Sequence, residues 1–318
     1  MWEEFDEFVR NLFYFTNGKN IVLWGYDSNG LFIQHLFERV NRKIEYIVDD
    51  ISIHPKVSIM RSAEIEFITP DIYVVIIAGK PDVEKNKFLE EKGFREDISY
   101  IYAGKRLYAT MGNNDTWENI SYYGYLEKKF DVNISEKKTI DKIERPREDC
   151  LNYAPGMGYP LVDVLDNFSF TDNDAVFDFG CGKGGALLLF KKSGVCKIAG
   201  VEYDKQLYDI ICDNFKKMNI ETENILHGDA ALIKNELDNY NYFFMYNPFQ
   251  GETFRQVINN IEESWKRKKR RIIFIYSGTY CHKEVILHGL FKLSKKIYTD
   301  YSVRNVNIYM IDEWSTGV

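Results

Sequence analysis

The sequence lacks the features of several classes of protein. It has five cysteines in 318 residues, and none of them forms a CxxC pair, so neither a disulfide framework nor a zinc site is indicated. No apolar run approaches the ~18–20 residues that a membrane span requires. The acidic start MWEEFDEFVRNLFYF does not have the basic and apolar regions of a secretion signal. We therefore expect a cytoplasmic protein with reduced thiols and no membrane partner.

A basic field is also missing. The net charge is -7, whereas a dominant nucleic-acid partner more often goes with an excess of Lys and Arg. The one dense basic run, KRKKRR at 266–271, precedes a predicted strand and fits the end of a helix, where cations complement the dipole. An RNA or phosphate contact is the alternative. The five histidines lack ligand spacing, so no metal is expected.

What the sequence has is a repeated alternation of short apolar runs and helical patterns. Apolar residues make up 45% and charged residues 28%, which is typical of globular proteins. The alternation predicts an α/β fold with parallel sheets covered on both faces. We predict a small Rossmann-like domain, a connecting helical and lid segment, and a second Rossmann-like domain, at 1–112, 113–174 and 175–318, with the polar stretch MGNNDT (111–116) at the first boundary.

The first domain contains a glycine turn, WGYDSNG. It has Gly25 and Gly30, but Asp27 stands where a phosphate would approach, and its charge repels an anion. NAD binding is therefore not expected. With the acidic strand end at 48–50, the turn resembles those of N-terminal Rossmann-like domains in sugar-modifying enzymes from surface-glycan pathways. That resemblance implies substrate docking, dimerisation or a vestigial nucleotide site, and the sequence leaves these three roles open.

The second glycine turn, FDFGCGKGG, satisfies two motifs. Gly180, Gly182 and Gly185 form the dinucleotide pattern G-x-G-x-x-G. Asp178 with Gly180, Gly182 and Gly184 forms an acid-x-G-x-G-x-G pattern. A carboxylate here opposes a pyrophosphate at the helix N-terminus but favours the ammonium and sulfonium of S-adenosylmethionine. We therefore favour S-adenosylmethionine as the ligand, with a dinucleotide as the alternative.

Three polar motifs follow this turn, each after a predicted strand. Glu202 in VEYD can accept both hydroxyls of a ribose, as an acid at this spacing also does for NAD. Asp229 in HGDA can accept from the adenine amino group or can cap a helix. YNPF, which contains Asn247, ends the fourth strand at the carboxyl edge of the sheet.

The motifs DFGCGKGG, GVEYD, HGDA and YNPF, in this order, resemble the class I S-adenosylmethionine-dependent methyltransferases. They are similar to bacterial members that pair a D-x-GCGKG turn with an NPF motif and a preceding Y-x-P segment. The resemblance covers about residues 150–312 and implies a seven-stranded sheet whose last strand is antiparallel. It also implies contacts to S-adenosylmethionine from the residues at the strand ends: Asp178, Gly180, Cys181, Gly182, Gly184, Glu202, Tyr203, Asp229, Ala230 and Asn247.

Two segments offer groups for catalysis and acceptor binding. The Asn247 oxygen and a proline-side carbonyl can accept the hydrogens of an uncharged amine, while Phe249 stacks on a planar substrate beside Pro248. The single proline departs from the N-P-P-aromatic motif, which puts base methylation in doubt. The alternative is that Asn247 and Pro248 only turn the chain out of the strand. Tyr153 (catalytic) and Tyr159 (substrate-binding) flank PGMG, a segment that acts as a lid in the family. Aromatic packing is their alternative role.

We therefore predict an enzyme that transfers a methyl group to a small-molecule or sugar-linked acceptor, with nitrogen preferred over oxygen and a homodimer as a candidate assembly. One alternative is a methyltransferase that acts on protein lysine amines. The other is a non-catalytic scaffold of two Rossmann-like units, against which the intact Asp178 and Glu202 argue.

Overall fold

Two β-sheets organise the chain, one in each of two units. The structure is a computed structural model. Its residue contacts divide the chain into Met1–Tyr125 and Leu126–Val318, here called unit 1 and unit 2. The predicted boundary at 111–116 lies outside the described residues. The structure describes residues 1–52, 57–64, 71–77, 82–103, 121–139, 149–278, 280–298 and 305–311.

Unit 1 is built on a parallel sheet. Its strands are β1 (Asn20–Trp24), β2 (Tyr46–Val48), β3 (Ile59–Met60), β4 (Ile72–Ile76) and β5 (Tyr100–Tyr102). They lie in the order β3-β2-β1-β4-β5, and each neighbouring pair is parallel. β1 is buried after its first residue and β4 throughout, as expected for a parallel sheet. The sequence did not predict β3, which is only two residues long.

The helices of unit 1 precede its strands or lie between them, as the predicted alternation requires. They are α1 (Glu3–Phe15), α2 (Ser28–Glu38) and α3 (Val83–Glu91). Phe5, Phe8 and Leu12 are buried along α1, at a spacing that brings them onto one face of a helix.

Asp27 occupies the capping position of α2. Its Oδ1 accepts hydrogen bonds from the backbone amides of Asn29 at 2.8 Å and Gly30 at 3.1 Å. Amides in the first turn of a helix are the groups that would otherwise hold a phosphate. The sequence indicated that Asp27 obstructs a dinucleotide, and the geometry gives the reason: its carboxylate already takes the free amides.

Unit 2 contains a seven-stranded mixed sheet. Its strands are β6 (Ala175–Phe179), β7 (Lys197–Glu202), β8 (Ile225–His227), β9 (Tyr242–Met245), β10 (Ile272–Ser277), β11 (Lys292–Tyr298) and β12 (Asn305–Ile311). They lie in the order β11-β12-β10-β9-β6-β7-β8. β12 is antiparallel to both of its neighbours, and the other pairs are parallel. The predicted seven-stranded sheet with an antiparallel last strand is confirmed.

The remaining helices include two in the connecting segment, which the sequence predicts to be helical. They are α4 (Tyr122–Phe130), α5 (Tyr159–Leu165), α6 (Gly185–Lys192), α7 (Lys205–Lys217), α8 (Gly251–Arg267) and α9 (His282–His288). Within the part of the chain that the structure describes, none of the helices has the length and apolar character needed to cross a membrane.

The strand order fixes where a ligand can bind in unit 2. β6 comes first along the chain but lies between β7 and β9 in the sheet. The connections from β6 and β9 therefore leave in opposite directions and open a crevice at the carboxyl ends of these strands. The glycine turn follows β6, Glu202 ends β7, and Asn247 follows β9, so three of the predicted motifs meet at this crevice.

Replacing Asp27 tests its capping role in unit 1. We expect Asp27→Ala to lower the free energy of unfolding by about 1 kcal/mol, because two amides of α2 lose their acceptor. Asp27→Asn is the matched control, since an Asn oxygen also caps a helix, and it should lose less than half as much. Urea unfolding measures both variants. Equal stability of Asp27→Ala and the wild type would contradict the assignment.

Candidate active site

A cavity of about 460 Å³ lies at the crevice of unit 2. Its walls come from the turn after β6, the ends of β7 and β9, the loop after β8 and the segment 150–156. Among the predicted site residues, eleven line it: Tyr153, Asp178, Gly180, Cys181, Glu202, Tyr203, Asp229, Ala230, Asn247, Pro248 and Phe249. Their predicted contacts with a cofactor or acceptor stay predictions, but the fold does bring these residues together.

Gly182 and Gly184 do not line the cavity; they shape the turn beside it. Gly180, Gly182 and Gly184 all have φ in the left-handed region, at 76°, 54° and 89°, where glycine is favoured. A Cβ on Gly180 would lie 2.5 Å from the Cβ of Pro248, and a Cβ on Gly182 would lie 2.2 Å from Cε2 of Tyr153. Glycine is therefore required at positions 180 and 182, because Pro248 and Tyr153 pack directly against the turn.

Glu202 is oriented by the backbone around it. Its Oε2 accepts from the Gly182 amide and its Oε1 from the Asp204 amide, both at 2.8 Å. Burial raises the pKa of Glu202 from 4.5 to about 7 despite these hydrogen bonds. The Tyr203 backbone is a third hydrogen-bond partner of this carboxylate. A carboxylate has about four acceptor sites, so a contact with a ribose hydroxyl is compatible with this geometry.

Asp178 is a buried carboxylate on the cavity wall. It is 3% exposed and accepts no hydrogen bond from the residues that the structure describes. Burial, and then the charge of Glu202, raise the pKa of Asp178 well above its usual value. An ionised carboxylate in this position is costly unless a cation or donor reaches it. The cavity wall therefore favours a positively charged ligand.

Asp229 has one oxygen committed to the backbone. It caps the short 3-10 helix Ala230–Leu232, with its Oδ1 accepting from the amide of Ala231 at 2.9 Å. Asp229 therefore does cap a helix, which was the alternative role considered for it, although that helix is only a single turn. Asp229 also lines the cavity, and the contact with adenine remains a prediction.

Tyr153 packs against the glycine turn. Its hydroxyl donates to the carbonyl of Ile134 at 2.8 Å, its ring lies against Gly182, and the Lys183 ammonium is 5.5 Å from the ring centre. Burial raises the pKa of the hydroxyl far above its usual value. The proton of this hydroxyl is already donated to the protein, so the geometry favours the packing role, and the catalytic role stays a prediction.

Tyr159 does not belong to the cavity. It is the first residue of α5 and is absent from the residues that form the cavity wall. The helix begins two residues after Met157, whose φ of 46° turns the chain. The structure therefore gives no support to the substrate contact predicted for Tyr159.

Residues 133–138, here called the strap, are bound to the glycine turn and were missed in the sequence. Lys183 donates to Oδ1 of Asn133 at 2.6 Å and to the carbonyl of Glu136 at 2.8 Å. Lys138 contacts Asp204 at 2.7 Å. No local motif marks the strap, because its partners lie about 50 and 66 positions away. The one available signal was Lys183 itself, a charge inside an apolar turn that needs a partner.

The YNPF motif is held by hydrogen bonds on both sides. The Pro248 carbonyl accepts from the Leu151 amide at 3.1 Å, so the carbonyl assigned to an incoming amine already has a backbone partner. Phe249 pairs with Cys150 in an antiparallel bridge and is 5% exposed within the core of unit 2. Asn247 has φ of 48°, and its Oδ1 accepts from the Tyr276 hydroxyl at 3.1 Å.

The basic run 266–271 lies at the end of α8, as predicted. Lys266 pairs with glutamates of its own helix, and Arg267 pairs with Asp238 at 2.7 Å. Arg270 donates to the carbonyls of Tyr240 and Leu237 at 2.7 and 2.8 Å. Much of the run therefore stabilises the chain locally.

Solved structures of methyltransferases are similar to this chain over part of its length. A ribosomal protein L11 methylase from Lactobacillus delbrueckii subsp. bulgaricus has 11% identity over 48% of this chain and 77% of its own, with a TM-score of 0.38. A SAM-dependent methyltransferase from Aquifex aeolicus has 13% identity over 48% of this chain and 89% of its own, with a TM-score of 0.37. An RNA methyltransferase from Salinibacter ruber in complex with S-adenosyl-L-homocysteine has 16% identity over 48% of this chain and 92% of its own, with a TM-score of 0.37. No family model matches the chain.

A pair of alanine substitutions separates close packing from backbone strain. Gly194 has φ of 103° and nothing within 4 Å of an added Cβ, so Gly194→Ala should cost about 1–2 kcal/mol from the left-handed backbone alone. Gly182→Ala should cost about 1–3 kcal/mol more, because Tyr153 must move. Urea unfolding measures the two free energies, and equal losses would show that Tyr153 does not restrict this turn.

Proposed function

We propose that unit 2 is an S-adenosylmethionine-dependent methyltransferase acting on a small-molecule or sugar-linked acceptor. The observation that carries the proposal is the pair of buried carboxylates, Asp178 and Glu202, on the wall of a single cavity beside a glycine turn. Both have raised pKa values because of burial, so a cationic ligand gains from their ionisation, whereas a pyrophosphate is opposed by it.

The cavity residues divide the work of binding. Asp178, which has no donor among the described residues, is assigned to the positively charged amino-acid portion of the cofactor. Glu202 is assigned to the ribose and Asp229 to the adenine, because both carboxylates line the cavity, at the end of β7 and after β8. The residues present therefore fit this cofactor.

When bound, S-adenosylmethionine supplies a methyl carbon already activated by its sulfonium. The work left to the protein is placement and exclusion of water, and holding the reactants in line can contribute roughly 7–11 kcal/mol. Asn247 is assigned to the acceptor because it lines the cavity after β9. The sequence favoured nitrogen as the acceptor atom, whereas Oδ1 of Asn247, which would accept from an amine, is already bound to the Tyr276 hydroxyl.

The size of the cavity favours a small acceptor. At about 460 Å³ it lies in the range of small-molecule sites, about 300–1,000 Å³. The segment 150–156 and the residues Asn247, Pro248 and Phe249 form part of its wall. We therefore prefer a small or sugar-linked molecule over a protein side chain.

Removing the charge of Asp178 tests the cofactor assignment. We expect Asp178→Asn to weaken binding of S-adenosylmethionine roughly tenfold to a hundredfold, the value of a charge-assisted contact. The variant should stay folded, because a neutral side chain of the same shape replaces a buried carboxylate. Isothermal titration calorimetry measures the affinity.

The matched control is Asp209→Asn, which removes an exposed carboxylate paired with Lys205 on α7 and should leave the affinity unchanged. Incubation with methyl-labelled cofactor and fractionated cell extract then tests transfer. Label in a small molecule or glycan supports the proposal, whereas label in protein lysines favours the protein-amine alternative. A wild type that binds no S-adenosylmethionine and transfers no label would leave the scaffold alternative and end the proposal.

A further inference from the structure

Asn247 is held in an unusual backbone conformation at the cavity wall. It follows β9 with φ of 48°, a left-handed conformation that Asn tolerates better than most residues. Its side chain is 7% exposed and contributes to the lining of the cavity. The backbone therefore places Asn247 at the wall of the cavity.

A buried tyrosine fixes which end of that carboxamide faces the protein. The Tyr276 oxygen accepts from the backbone amide of Cys281 at 3.3 Å, and a backbone amide can only donate. Burial raises the pKa of Tyr276 far above its usual value, so the hydroxyl keeps its proton. The Cys281 side chain also contacts this hydroxyl, and the hydroxyl proton needs an acceptor. Asn247 provides one, its Oδ1, at 3.1 Å.

Gly278 keeps this pair in close contact. A Cβ on Gly278 would lie 2.5 Å from the Tyr276 hydroxyl oxygen and 3.0 Å from Oδ1 of Asn247. A side chain at position 278 would therefore disturb the hydrogen bond. The glycine that directly follows β10 permits the tyrosine and the asparagine to meet.

The amide nitrogen of Asn247 is the end left for the cavity. It donates to no group in the described part of the chain, whereas Oδ1 is bound to Tyr276. An Asn amide nitrogen carries two donors and no acceptor. Asn247 therefore offers N–H groups to a ligand, which is the reverse of the arrangement that the sequence suggested for an amine.

This direction distinguishes acceptor atoms. A neutral amine has one lone pair, which cannot accept from Asn247 and attack a methyl carbon at the same time. A ring nitrogen has the same limitation. An oxygen that arrives deprotonated has three lone pairs, so it can accept a hydrogen bond from Asn247 and still attack.

We propose that the methyl acceptor is an oxyanion, of the carboxylate or phenolate class, positioned by Asn247, and that Tyr276 is the positioning residue that orients Asn247. This inference rests on the proposed function. A lone pair of the acceptor oxygen forms the new O–C bond, the C–S bond breaks, and its electron pair stays on sulfur as a neutral thioether. No proton moves, so the step requires no base.

The first test locates the transferred methyl group. Protein is incubated with cofactor carrying a trideuterated methyl group and with cell extract, and fragmentation mass spectrometry assigns the label to oxygen or nitrogen. A methyl ester or aryl ether supports the inference. An N-methyl product overturns the inference and leaves the proposed function standing, whereas no labelled product together with no cofactor binding overturns both.

The second test does not depend on turnover. In protein labelled with ¹⁵N-asparagine and saturated with S-adenosylhomocysteine, the side-chain amide signals of Asn247 are assigned by their loss in Asn247→Asp. We expect Tyr276→Phe to shift these signals. Tyr309→Phe is the matched control, because it removes a buried hydroxyl that contacts His282 at 2.6 Å instead, and it should leave them in place.

With the identified acceptor, Tyr276→Phe should lower kcat about tenfold to a hundredfold, as expected for a misaligned reactant, with little change in the KM for the cofactor. Unmoved Asn247 signals in Tyr276→Phe would overturn the positioning role. A Tyr276→Phe variant that loses cofactor affinity to the same extent as kcat would also overturn it.

Discussion

The burial of two carboxylates beneath one glycine turn is the constraint on which unit 2 depends. Glu202 is bound to the amides of Gly182 and Asp204, and Asp178 lies nearly inaccessible on the cavity wall. Their mutual repulsion and their loss of water both oppose ionisation. A ligand with positive charge offsets the cost of ionisation, so we expect the charge of the site to favour a cationic ligand.

The glycine turn keeps its conformation because neighbouring segments pack against it on several sides. Pro248 and Tyr153 leave no room for side chains at Gly180 and Gly182, and the strap is fixed to the turn by the buried Lys183. The cavity is therefore bounded by segments that are distant in sequence, and its shape depends on their packing around the turn.

Much of this arrangement could be predicted from the sequence, because buried parallel strands give continuous apolar runs and their polar ends fall at one edge of the sheet. That reasoning located Asp178, Glu202 and Asn247 correctly at the crevice. It missed the strap, and it did not foresee that the Tyr153 hydroxyl binds the Ile134 carbonyl. Such contacts join residues with no local pattern. The direction of an amide, set for Asn247 by a residue 29 positions away, has no sequence signature either.

Proton release on cofactor binding tests the electrostatic account most directly. Because the pKa of Glu202 is about 7 in the folded protein and that of Asp178 is raised as well, a cation must lower both values when it binds. Calorimetric titration with S-adenosylmethionine near pH 6.5, in two buffers of different ionisation enthalpy, counts the protons exchanged. The account predicts net release, which declines as the pH rises well above 7. Proton uptake near pH 6.5, or binding there with no proton exchange, would contradict the account.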